Sequence, residues 1–178
     1  MRMFVAVWPD AATCGVLADL RLEPAGALRL VRPSQWHVTL RFLGEVDEGL
    51  TPVLVEALVA AARRLPDSIP CHLGPGLAWF GGDRVLQVPV GGLEGAAAAV
   101  GAATLPLVPD PVGGRFGFSG HLTLARTTRQ SLTPPERTAL TALACTASFE
   151  VDSFDLVASR PSEHGRRYET LARVPLGA

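Results

Sequence analysis

"QWHVTLRFLG", residues 35–44, and "SGHLTLARTT", residues 119–128, share the pattern His-x-Thr-Leu, with the two histidines 84 positions apart. Each run is rich in β-branched and aliphatic residues, and the first closes at Gly44, which predicts a strand in each case. Alternate side chains of a strand share a face, so His37 and Thr39 point one way while Val38 and Leu40 point the other. His121 and Thr123, set against Leu122 and Leu124, repeat the arrangement. Each motif therefore offers an imidazole and a hydroxyl to one side and anchors itself in a core by the opposite side.

The flanking sequence echoes as well. "LTP" follows each motif, at Leu50 and at Leu132, and "VPV" at Val88 is matched by "VPL" at Val174, with offsets of 82 and 86 residues. The common order predicts an internal duplication, a His37 half and a His121 half within one domain spanning residues 1–178. The elements follow from periodicity and turn chemistry. Strands are predicted over 4–7, 28–31, 36–43, 69–80, 84–90, the "HLTLA" run, 149–159 and 167–176. Helices are predicted from Asp10 to about Leu22, over "LTPVLVEALVAAARRLP" with a Thr cap and Pro in the first turn, through the Ala-rich run after Gly95, and over "LTPPERTALTALAC". "GGD", residues 81–83, joins two strands as a turn. The expected class is α/β in the α+β sense: two pseudo-twofold-related lobes, each a small mixed or antiparallel sheet flanked by helices, with a groove between them.

Composition narrows the function. The 178 residues suffice for one substantial core, and 48% apolar with 19% charged residues is ordinary for a folded domain. Pro9 and Asp10 interrupt the first apolar run before it reaches signal-peptide length, and no later run reaches the roughly 18 residues of a membrane span. Cys14, Cys71 and Cys145 are scattered and lack a C-x-x-C spacing, which fits a reducing cytoplasm and neither a disulfide framework nor a zinc ribbon. A net charge of −1 excludes broad polyanion binding, so any nucleic-acid contact must be local. All sixteen basic residues are arginine. That bias is expected of a GC-rich genome, so individual arginines need positional support before they count as phosphate ligands.

Two imidazoles brought together suit phosphodiester chemistry. One ring can be neutral and take a proton from the attacking oxygen while the other is charged and gives one to the departing oxygen. Threonine hydroxyls can hold the phosphate oxygens between them. Neither motif carries a second metal ligand at tight spacing, and neither a phosphate loop nor a serine-hydrolase elbow is present. No metal or cofactor is expected. His72 and His164 have no echo and are expected to be structural or exposed. Arg41, four residues after His37, would share the histidine's face in a regular strand and is the candidate for an extra phosphate contact there. Phe42 and Arg126, five residues after their histidines, would reach that face only if each strand ends or bulges.

Paired motifs in a chain of this size resemble the two-histidine phosphoesterase superfamily, and specifically the RNA 2',3'-cyclic phosphodiesterases once called 2'-5' RNA ligases. The resemblance runs from "MRMFVAVWP" through "WHVTLRFLGEV" and "HLTLAR" to "ASRPSEHGRRYETLARVPL", with Ser159, Gly165, Tyr168 and Leu171 in the ending. It implies hydrolysis of an RNA-terminal 2',3'-cyclic phosphate to a 2'-phosphate, and in some members a slow, reversible 2'-5' joining. It further implies that His37 and His121 are the acid–base pair, that Thr39 and Thr123 hold phosphate, that Arg126 contacts phosphate and that Phe42 stacks on a base. In that scheme His121 activates water and His37 protonates the leaving 3' oxygen. The partners implied are RNA 3' ends or small 2',3'-cyclic nucleotides, with no membrane and no obligate protein partner. Competing readings are a 2'-5' oligonucleotide phosphodiesterase, a small-molecule cyclic phosphodiesterase, and a catalytically silent RNA-end binder.

Overall fold

The opening strand alternates poorly because both of its faces are covered. Arg2–Val7 (β1) is buried from Met3 to Val7. Met3, Val5 and Val7 join the main core, whereas Phe4 and Ala6 join a smaller cluster with Val157, Trp8 and Tyr168. The computed structural model describes residues 1–22, 26–109, 117–130, 132–163 and 165–177. His164 and most of the Pro- and Gly-rich approach to His121 lie outside the described residues.

Helix Ala11–Asp19 (α1) starts at Asp10, whose carboxylate accepts the Thr13 N–H at 2.7 Å. Leu28–Leu30 (β2) and Val38–Glu45 (β3) follow. The expected Thr51 cap is corrected: Thr51 already lies inside Thr51–Ala62 (α2), after a 3₁₀ turn, Glu48–Leu50, in which Asp47 accepts the Gly49 N–H. The long strand expected over 69–80 is two, Ile69–Leu73 (β4) and Ala78–Phe80 (β5). Gly74 makes the break, with φ +110°, and a Cβ there would meet the Cys145 carbonyl oxygen at 2.1 Å. The "GGD" turn, with Gly81, Gly82 and Asp83 all at positive φ, leads into Val85–Gly91 (β6).

Glu94–Thr104 (α3) precedes His121–Thr127 (β7). Pro134–Thr141 (α4) opens on Thr133, whose backbone N–H and hydroxyl both donate to the Glu136 carboxylate at 2.7 Å. The strand expected over 149–159 also divides, into Ala147–Val151 (β8) and Ser153–Ser162 (β9), before Gly165–Pro175 (β10) ends the series. Asp152 is the corner, and its carbonyl accepts the Leu176 N–H at 2.8 Å. The corner matters because β8 pairs with β4 and β9 pairs with β1, at opposite ends of the sheet.

The result is a mixed α and β fold built on antiparallel pairing, with strand order β10-β9-β1-β3-β7-β6-β4-β8; β2 pairs with β7 and β5 with β6. α2 packs on α3 and β10, and α3 packs on β3. The two motif strands are neighbours at the middle of this order. Their pairing is a single couple, Val38 with Leu122; beyond it the edge of β7 is occupied by β2. A groove opens where β3 and β7 part.

Both motif strands are bulged at the same place. Along β3, Thr39 pairs with Ala6 and Arg41 with Val5, which leaves Leu40 extra. Along β7, Thr123 pairs with Gln87 and Ala125 with Leu86, which leaves Leu124 extra. A bulge resets the alternation, so two consecutive residues face the core: Leu40 with Arg41, and Leu124 with Ala125, are all buried. Phe42 and Arg126 are thereby returned to the histidine face. Arg41 is the corresponding correction. It is 2% exposed and turned into the interior, where its guanidinium donates to the Thr104 hydroxyl and the Val108 carbonyl. It fastens β3 to the end of α3 and does not line the groove.

Candidate active site

The groove encloses about 630 Å³ and is lined by His37, Thr39 and Phe42 from the first motif and by His121, Thr123 and Arg126 from the second. The imidazoles are held in the same way. His37 Nδ1 lies 2.6 Å from the carbonyl oxygen of Gln35, and His121 Nδ1 lies 2.8 Å from that of Ser119. A carbonyl only accepts, so each Nδ1 carries the proton and each Nε2 is left to exchange one. Gly120 permits the approach to His121: it stands so close to the neighbouring strand that a Cβ would meet the Val90 carbonyl oxygen at 2.1 Å.

The surroundings of the two rings differ. His37 is enclosed by Phe4, Trp8 and Tyr168, with ring centroids 5.0, 5.5 and 5.3 Å away. Trp8 is fixed in turn by Asp155, which accepts its indole N–H at 2.9 Å. Burial lowers the His37 pKa, the Gln35 carbonyl opposes that shift, and the nearby charges of His121 and Arg126 add to it. His121 has one aromatic neighbour among the described residues, Phe80, stacked with ring centroids 4.9 Å apart.

Charge is distributed unevenly over the molecule. Five arginines line the groove, Arg2, Arg29, Arg32, Arg126 and Arg166, and the lining contains no carboxylate among the described residues. On a chain of net charge −1 this concentrates positive potential at one place. Arg166 donates to the Ser159 hydroxyl at 2.7 Å, and its carbonyl accepts the Gln35 side-chain amide. Gln35 thus holds His37 through its carbonyl and the β9–β10 hairpin through its side chain. The hydroxyls of Thr39 and Thr123 have no protein partner among the described residues.

Sequence reading anticipated six of these residues and missed the rest. Arg2, Arg29, Arg32 and Arg166 carried no signal beyond their charge, since their positions depend on which strands become neighbours. Ser159 and Tyr168 stood in the stretch that carried the family resemblance, without an assigned role. His72 is exposed, lies 3.0 Å from the Ser148 hydroxyl, and is not part of the groove lining. Cys71 is buried, with its thiol pushed up to about 12 chiefly by that burial, so it is inert as a nucleophile. Among the described residues no three His, Cys, Asp or Glu side chains are grouped to hold a metal ion, and no helix is long and apolar enough to cross a membrane.

A family model described as LigT like Phosphoesterase matches residues 16–70, which contain the first motif. The fold is also that of TT0787 of Thermus thermophilus, with TM-score 0.85 and 25% identity over 99% of this chain and 98% of that one. The chain is thus similar to the LigT-like phosphoesterases around its first motif, and it has their fold. E. coli LigT in apo form matches the fold as well, at TM-score 0.69 and 25% identity over 98% and 96% of the two chains. E. coli LigT complexed with 3'-AMP matches at TM-score 0.70 and 24% identity over 98% and 97%. No curated protein matches the sequence. The paired histidines of this chain stand at the strands that flank the groove.

Proposed function

We propose that this protein hydrolyses the 2',3'-cyclic phosphate at an RNA end to a 2'-phosphate, using His37 and His121 as an acid–base pair. The observation that carries the reading is the pair itself: two imidazoles, each pinned at Nδ1, in one groove lined by five arginines and, among the described residues, no carboxylate. An E. coli relative crystallised with 3'-AMP, a ribonucleoside monophosphate, supports a nucleotide in this groove.

The cyclic phosphate sits between the rings, its non-bridging oxygens accepting from the Thr39 and Thr123 hydroxyls and facing Arg126. Water attacks phosphorus opposite the 3' oxygen. As the new P–O bond forms, His121 Nε2 takes the water proton; as the P–O3' bond breaks, His37 Nε2 gives its proton to the 3' oxygen. The product carries a 3'-hydroxyl and a 2'-phosphate. In the free protein burial lowers the His37 pKa, and the negative charge of a bound phosphate opposes that shift, favouring the protonated form the acid needs. No metal or cofactor enters this scheme. With the 5'-hydroxyl of a second RNA in place of water, the same pair joins the two ends: the 5' oxygen bonds to phosphorus as the P–O3' bond breaks, which leaves a 2'-5' linkage and a free 3'-hydroxyl.

The test is an oligoribonucleotide ending in a 2',3'-cyclic phosphate, incubated with the purified chain and a chelator. Conversion to the 2'-phosphate supports the reading. Failure of the wild-type chain to open the ring, or turnover by His37→Ala and His121→Ala close to wild type, overturns it.

A further inference from the structure

Arg29 and Arg126 are directly paired across β2 and β7, and both line the groove. Like charges placed opposite one another on adjacent strands are destabilising. The usual remedy is a carboxylate, and the chain uses it elsewhere: Arg160 meets Glu169 and Glu48, Arg173 meets Asp155, and Arg137 meets Asp83. Neither Arg29 nor Arg126 has such a partner among the described residues, and Arg32, also on the groove wall, lacks one too. Three uncompensated guanidinium groups along one edge exceed what one cyclic phosphate monoanion requires, because that anion is also served by two threonines and by the paired histidines.

We propose that Arg29 and Arg32 form a second phosphate subsite, next to Arg126, that takes the phosphate on the 5' side of the terminal nucleoside. The inference rests on the cyclic phosphodiesterase reading and sharpens it. The preferred substrate is then the end of an RNA chain, whose terminal nucleoside always bears that phosphodiester, over a nucleoside 2',3'-cyclic phosphate lacking it. A phosphate bound there also offsets the repulsion between Arg29 and Arg126, so subsite and catalytic phosphate are filled cooperatively.

The experiment compares three substrates with the same terminal base: a nucleoside 2',3'-cyclic phosphate, the same compound with a 5'-monophosphate, and a dinucleotide ending in the cyclic phosphate. Wild type is expected to prefer both phosphate-bearing substrates by about tenfold or more in kcat/KM, with the preference shrinking as salt is raised. Arg29→Gln is expected to bring that preference to about twofold or less, and Arg32→Gln to reduce it part way. Preference for the dinucleotide alone would assign the site to the added nucleoside and overturn a phosphate subsite. So would equal use of all three substrates by wild type, or a preference that Arg29→Gln leaves intact. Ring opening of none of the three would instead sink the catalytic reading, and the wild-type comparison stands whatever the variants do to folding.

Discussion

Phe42 and Arg126 occupy matching places on neighbouring strands, each two residues beyond an extra leucine that resets which way the chain faces. The two bulges thus deliver an aromatic ring and a cation to the groove. Their substitutions should separate. Arg126→Gln is expected to lower kcat/KM by about 10²-fold on every cyclic phosphate, because it removes charge at the reacting group. Phe42→Ala is expected to raise KM by about 5- to 100-fold, by an amount that varies with the terminal base. Steady-state kinetics on substrates with each of the four bases checks both; indifference of the Phe42 effect to the base would contradict the stacking role.

Removing either imidazole should cost roughly 10²–10⁴-fold in turnover with the fold retained. The two act on one event, so the double variant His37→Ala/His121→Ala should be scarcely slower than the worse single. Multiplicative losses, read from single-turnover rates with circular dichroism as the folding control, would show that the rings work independently.

The pH dependence of stability follows from the enclosure of His37. Its folded pKa is lowered by burial, so the folded state favours the neutral ring. That contribution is fully present above the unfolded value of about 6.5 and is lost as pH falls through the folded value. Denaturant unfolding should therefore show stability declining on acidification through this window, with a smaller decline in His37→Gln. Titration of the ring by NMR should place its pKa below the ordinary imidazole value, and saturating inorganic phosphate should move it upward.

Arg41 should matter to folding rather than to chemistry. Its guanidinium is buried and holds Thr104 and Val108, so Arg41→Met strands those acceptors in the interior. A loss of about 2–4 kcal/mol is expected by urea titration, with kcat/KM per folded molecule little changed.

The same arginine shows how far sequence could go. Periodicity exposed the two strands, their histidines and threonines, and most helices, because those depend on local pattern. It put Arg41 in the groove because an alternating rule has no means of seeing a bulge, whose position is set by the partner strand. The breaks at Gly74 and Asp152 escaped for a related reason: Gly74 ends a strand whose partner, β8, is distant in sequence, and Asp152 redirects the chain from β4 to the equally distant β1. The arginines of the wall were legible as charge and illegible as a cluster. Arg29 becomes significant only when β2 is known to lie against β7.

The hairpin of β9 and β10 lies against β1, and from it Ser159, Arg166 and Tyr168 wall the first histidine. A ribosome making this protein therefore releases both histidine motifs before the groove wall supplied by β9 and β10. Until residue 168 has emerged, His37 lacks a ring that encloses it and β1 has a bare edge open to wrong pairing. Nascent chains should thus be inert in the proposed reaction, and competence should arrive in one late step of synthesis.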